Sequence, residues 1–160
     1  MTSDRPIFAR LRGFDAPWVA LGDFPTPVQP MRETGERLGA PDALWVKRDD
    51  CTGLPSGGNK TRKLEFLLGD AMAQGADTLV TQGAVQSNHV RQTAAAAAAH
   101  GMGCRIILEE RTGSKAQDYM ANGNVLLDRL LGTGPVFAAD TGEDAEIAHL
   151  VAQFLDGLAA

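Results

Sequence analysis

The chain has 160 residues, 44% hydrophobic and 22% charged, a composition of folded rather than disordered proteins and enough for one domain or two small lobes. A net charge of -5 argues against a broad nucleic-acid surface and leaves room only for a local basic pocket. Cys51 and Cys104 have neither metal-ligand spacing nor a disulfide framework, so no metal is expected and a reducing, cytoplasmic location fits.

The N-terminal MTSDRPIFAR lacks the apolar core of a signal peptide. Residues 1–42 hold most of the prolines, including FPTPVQP, and read as an extended arm followed by a short helix near Met31–Leu38. ALWVKRDD, from Ala43, reads as a strand and CTGLPSGG as a loop. From Asn59 the period becomes helical, with Leu64, Leu67, Leu68, Ala71 and Met72 on one face and Gly75 as the stop. One plan then repeats. DTLVTQGA is a strand, VQS a turn and NHVRQTAAAAAAHG a helix, too short and alanine-rich to span a membrane. CRIILEE is a strand, RTGSKAQDY a loop and GNVLLDRLLG a helix; GPVFAAD, TGED and AEIAHLVAQFLDGL repeat strand, turn and helix. Alternating strands and helices imply a parallel sheet, hence a three-layer α/β lobe built mainly from residues 61–160, with residues 1–60 as an arm and the start of a second domain. Ligands in such sheets bind beyond the carboxyl ends of the strands. The loops Gly53–Asn59, Gly83–Asn88 and Arg111–Lys115 each follow a strand and are expected to converge on one pocket.

Within SGGNKTRK, Lys60 has three readings. Gly53 and Gly58 have the glycine spacing of a phosphate-binding P-loop, but Asn59 intrudes before the lysine and no magnesium aspartate follows, which disfavours nucleotide hydrolysis. An ordinary lysine faces water. Yet Lys60, Arg62 and Lys63 crowd three cations into the first turn of a helix, whose N-terminus is already positive, and such a cluster calls for an anion such as a phosphate ester. The third reading is covalent. Neighbouring cations and a helix N-terminus favour the neutral, nucleophilic form of an amine, and a GG pair lets the backbone approach a flat ring.

GGNKTRKLEFLL, TQGAVQSNHVRQTAA and the NGNVLLD segment resemble the 1-aminocyclopropane-1-carboxylate deaminase / D-cysteine desulfhydrase family of fold-type II pyridoxal-phosphate enzymes, related to the tryptophan synthase β-subunit. The resemblance covers roughly Asp23 to Leu131. KRDDCTGL, LEERTGSKAQDY and NGNVLLD are most similar to its L-cysteate sulfo-lyase and D-cysteine desulfhydrase branch. The resemblance implies that Lys60 is the Schiff-base lysine of pyridoxal 5'-phosphate, with Asn59 beside it. It implies that Lys63 reaches the cofactor phosphate, that Asn88 bonds the cofactor ring hydroxyl, and that Ser87 with its neighbouring amides holds the substrate carboxylate. Gln86 would line the same turn and His89 would touch the site.

The residues themselves agree in part. QSN lies at a strand-to-helix turn, where free N–H groups favour an anion, although Ser87 or Asn88 can equally be a plain N-cap. His100 and His149 read as structural, Tyr119 as packing, and Asp49 and Asp50 as caps or partners of Arg48. Arg111, in a strand-to-helix loop, reads as solvated, with bidentate sulfonate binding as the alternative.

The resemblance implies β-elimination from L-cysteate or D-cysteine to give pyruvate, ammonia and sulfite or sulfide, with Lys60 as the base. Ring-opening deamination of 1-aminocyclopropane-1-carboxylate is the alternative within the family. The family fold also uses a second half, with a glycine-rich phosphate loop and a partner for the pyridine nitrogen, that is not recognisable before Ala160. The chain therefore reads as the N-terminal half of an enzyme that is a homodimer at full length. The alternative is a truncated α/β module that binds an anion or a partner chain without catalysis.

Overall fold

The computed structural model describes residues 15–138 together with 149, 151–153 and 156–157. A small antiparallel sheet comes first: β1 (Val28–Pro30) pairs with β2 (Trp45–Lys47), Val28 opposite Lys47 and Pro30 opposite Trp45. Helix α1 (Arg32–Arg37) joins them, within the span expected for it. The strand at 28–30 was hidden by its prolines, which suit an edge strand that need not donate at every position.

The remainder builds a parallel sheet. Its elements are α2 (Thr61–Ala73), β3 (Thr78–Ala84), α3 (Asn88–Ala99), β4 (Gly103–Glu109), α4 (Gln117–Ala121), α5 (Asn124–Leu130) and β5 (Val136–Ala138). Strand order is β3-β4-β5, with Thr78 to Ala84 paired to Gly103 to Glu109, and Ile107 to Glu109 paired to Val136 to Ala138. The segment RTGSKAQDY, expected as a loop, contains the start of α4, a helix too short to leave a periodic signature. The helix expected over 145–158 lies mostly outside the described residues; those of it that are described are helical.

Strand β4 is buried on both faces from Ile106 to Glu109. Ile106 and Leu108 enter one core cluster with Val85, Val90 and Val125, while Ile107, fully buried, points to the opposite face. Ala94 to Ala97 are all buried, and their small side chains let α3 lie close against β3 and β4. A second cluster joins Leu54, Leu64, Leu68, Ala95 and Ala96, binding α2 to α3. The arm docks on α2 through the buried carboxylate of Glu65, which accepts from Trp18 Nε1 at 3.0 Å and from the Leu21 amide at 3.1 Å. No helix among the described residues is long and apolar enough to cross a membrane.

Candidate active site

Two turns meet at the start of α2 and α3. The first, 52–60, is held in an unusual backbone path: Ser56, Gly57 and Gly58 have φ of 65°, 65° and 137° in succession. A Cβ on Gly57 would lie 1.7 Å from the Asp50 carbonyl oxygen, and one on Gly58 would lie 2.3 Å from Gln92 Nε2. The glycines are thus required by the protein's own close packing, where the sequence had suggested approach to a ligand ring. Thr52 Oγ1 accepts from the Gly58 amide at 2.8 Å and stands 3.2 Å from Thr61 Oγ1, closing the turn. Lys60 occupies the N-cap position of α2, half-buried. The amide that follows it, on Thr61, donates to Gln92 Oε1 at 3.0 Å, so a side chain from α3 caps α2.

The second turn, 84–88, leaves β3 and enters α3. Ser87 is the N-cap, its Oγ accepting from the Val90 amide at 3.3 Å. The Asn88 and His89 amides of that first turn have no protein acceptor among the described residues. Asn88 Nδ2 donates to Asn59 Oδ1 at 3.3 Å, which joins the two sequence motifs directly.

The charge cluster is resolved unequally. Arg62 is neutralised by Asp49, with Nε to Oδ2 at 2.9 Å and Nη2 to Oδ1 at 2.6 Å, and its guanidinium lies 4.7 Å from the Phe24 ring centre. Asp49 therefore pairs with Arg62, while Arg48 takes Asp50, at 2.6 Å. The Arg62 guanidinium, through these hydrogen bonds, holds the Asp49 carboxyl below the usual range. The amines of Lys60 and Lys63 make no hydrogen bond or ion pair among the described residues. His89 senses both: its pKa is lowered first by burial and then by the charges of Lys63 and Lys60. Its ring lies between Thr81 Oγ1, 3.4 Å from Nε2, and Thr93 Oγ1, 3.5 Å from Nδ1.

Gln86 faces away from these groups. Its Nε2 donates to the Tyr119 and Asn122 carbonyls at 2.6 and 2.9 Å, and its Oε1 accepts from the Asn124 amide at 2.9 Å. It anchors the 119–124 segment, and its side-chain polar atoms are already engaged. Tyr119 packs on the core as expected. Arg111 is bound to the buried carboxylate of Glu109, Nε to Oε2 at 2.7 Å. With Lys115, Ser114, Met120 and Phe137 it lines a cavity of about 550 Å³ at the ends of β4 and β5. So the turns at 53–59 and 83–88 come together, and the loop at 111–115 lines a cavity of its own. Sequence reasoning gave no role to Arg91, Gln92 or Asn124, whose hydrogen bonds brace the first two turns. The available signal was a cation and an amide side by side at the start of an otherwise alanine-rich helix.

A parallel sheet whose strand-end turn offers free amides, beside Lys60 at the end of a glycine-rich loop and Lys63 in the first turn of α2, is the arrangement of an α/β enzyme lobe. Residues 19–157 match the family described as "Pyridoxal-phosphate dependent enzyme", and the chain belongs to that family. Among similar proteins, a D-cysteine desulfhydrase of Klebsiella pneumoniae subsp. pneumoniae is 50% identical over 117 residues, covering 73% of this chain and 35% of the relative. One from Salmonella paratyphi B is 47% identical over 135 residues, 84% of this chain and 40% of the relative. A solved structure described as an ACC deaminase homologue superposes with a TM-score of 0.74 at 39% identity, covering 96% of this chain and 44% of that one. The chain thus spans less than half the length of these relatives.

Proposed function

We propose that this chain carries the lysine-bearing part of a pyridoxal-phosphate-dependent lyase that eliminates the β-substituent of a small sulfur-containing amino acid, D-cysteine or L-cysteate. The observation that carries the proposal is the contact of Asn88 with Asn59. It sets the free amides of α3 beside the turn that bears Lys60, whose amine has no partner among the described residues. The donor set fits the cofactor: an amine unpaired among the described residues for its aldehyde, a second such cation one turn on for its phosphate, and an amide side chain for its ring hydroxyl. Lys60, Lys63, Asn59 and Asn88 would hold it.

When bound, pyridoxal phosphate supplies an aldehyde for an amine and an electron sink for charge developing at the substrate α-carbon. The protein's own residues do the rest. Ser87, with the Asn88 and His89 amides at the positive end of α3, binds and orients the substrate carboxylate. Lys60 Nζ takes the α-proton, held nearby and so spared a diffusional encounter. The bond from the β-carbon to sulfur then breaks with its electron pair leaving on sulfur, as sulfide from D-cysteine or sulfite from L-cysteate. The organic product hydrolyses to pyruvate and ammonia. His89, kept neutral by burial and by the two lysines, does not compete for the carboxylate.

The desulfhydrase relatives support D-cysteine, and the solved homologue supports ring-opening deamination as a second reading. Product analysis separates them. Sulfide with pyruvate marks D-cysteine, sulfite with pyruvate marks L-cysteate, and 2-oxobutyrate marks the cyclopropane substrate. Lys60→Ala is expected to abolish whichever activity is found, together with the visible absorbance of the bound cofactor. Turnover at the wild-type rate in that variant would contradict the assignment.

A further inference from the structure

Arg91 lies on α3, three residues after Asn88, and is 5% exposed. A buried guanidinium ordinarily meets a carboxylate. No ion pair among the described residues includes Arg91. Its fork is spent on backbone and amide oxygens instead. Nη1 donates to the Pro55 carbonyl, Nη2 to the Gly57 carbonyl at 3.0 Å, and Nε to Asn124 Oδ1 at 2.6 Å. The two carbonyls flank Ser56, a non-glycine residue in the left-handed region. Such a residue persists only where its surroundings hold it. Asn124 is itself fixed to the second turn, its Nδ2 donating to the Gln86 carbonyl at 2.9 Å. The next residue, Gln92, accepts from Thr61, immediately after Lys60. Consecutive side chains of one buried helix therefore hold the chain on both sides of Lys60.

We infer that Arg91 is a positioning residue: its guanidinium clamps the strained Pro55–Gly57 turn to α3 and α5, and so sets where the Lys60 amine stands relative to Ser87 and Asn88. The clamp works by geometry. Three donors of a planar fork meet three oxygens from two segments, which a lysine ammonium on the same stem does not match. Lysine at 91 keeps the charge and loses the fork. The clamp rests on the proposed role of Lys60 for its consequence, though not for its existence.

Two measurements test it. The first needs no cofactor. In Arg91→Lys, amide hydrogen exchange at Gly57, Gly58 and Thr61 is expected to rise about tenfold or more, the loss of one or two charge-assisted hydrogen bonds. Ala94 to Ala97 should keep wild-type protection. Wild-type exchange in the turn would overturn the inference. The second reads Lys60. After incubation with pyridoxal phosphate and borohydride, the ratio of label on Lys60 to label on exposed Lys115 is expected to fall about tenfold in Arg91→Ala. Sub-denaturing guanidinium should restore it, and sodium chloride at equal ionic strength should not. An unchanged ratio, or equal recovery in both salts, would overturn the clamp. Absence of Lys60 label in the wild-type chain would sink the cofactor reading and leave the exchange measurement to decide the clamp alone.

Discussion

His89 is an internal reporter for the anion proposed to bind between Lys60 and Lys63. Its pKa is depressed by burial and then by the charges of Lys63 and Lys60, so an anion bound between those lysines removes part of the depression. Titrated by NMR, the His89 ring is expected to show a higher pKa with pyridoxal phosphate or inorganic phosphate than without. An unmoved pKa at saturating ligand would place the anion elsewhere. Asp128 reports on the fold. It is fully buried, and neither carboxylate oxygen has a hydrogen-bond partner among the described residues. Burial pushes it up to about 6, against the favourable charge of Arg91. Its own charge, after burial, helps push the Cys104 thiol up to about 11. The folded-state pKa of Asp128 lies above its unfolded value, so its stabilising effect is complete below the unfolded pKa and is lost as pH rises through the folded one. That loss is on the order of 3 kcal/mol between about pH 4 and about pH 7. Asp128→Asn is expected to flatten urea midpoints over that window; a variant retaining the wild-type slope would show that another group titrates there.

At the scale of elements, the ion pair of Asp49 with Arg62 ties the turn after β2 to the first turn of α2. Both side chains are partly exposed, 24% and 39%, so Asp49→Asn is expected to cost only about 1 kcal/mol in urea denaturation. Because the folded-state pKa of Asp49 is lowered, that contribution is present above the unfolded pKa and disappears as pH falls through the folded one. Unchanged stability near neutral pH would show the pair to be an ornament of the surface. The longer elements were legible in the sequence because one local rule dominated each. The short apolar run of Ile106, Ile107 and Leu108 marked β4, and the apolar spacing of Leu64 and Leu68 marked α2. Strand β1 was not legible, since Pro30 and the preceding Pro27 argue against a ladder and its pairing with Trp45 is supplied from elsewhere in the chain. The five-residue α4 was missed because its Gln117–Ala121 span is shorter than two turns. The meeting of the turns that carry Asn59 and Asn88 was anticipated from their places after strands, and the resemblance set both residues at the cofactor; the hydrogen bond between them was not anticipated. The brace of Arg91 on Pro55, Gly57 and Asn124 was not, because those partners lie more than 30 residues away and hydrogen-bond geometry leaves no mark on local pattern.

Over the whole molecule, a net charge of -5 coexists with Lys60 and Lys63, unpaired among the described residues, so the proposed attraction for an anion is local and not a property of the surface at large. Large apolar side chains also face solvent on the small sheet and on α5: Trp45 is 59% exposed and Leu130 is 73% exposed. The chemistry concerns one amine and its neighbours. The most direct test is reductive trapping of the wild-type chain with pyridoxal phosphate, followed by peptide mapping. The account expects the phosphopyridoxyl group on Lys60 ahead of every other lysine. Label spread evenly over Lys47, Lys63 and Lys115, or missing from Lys60, would contradict it.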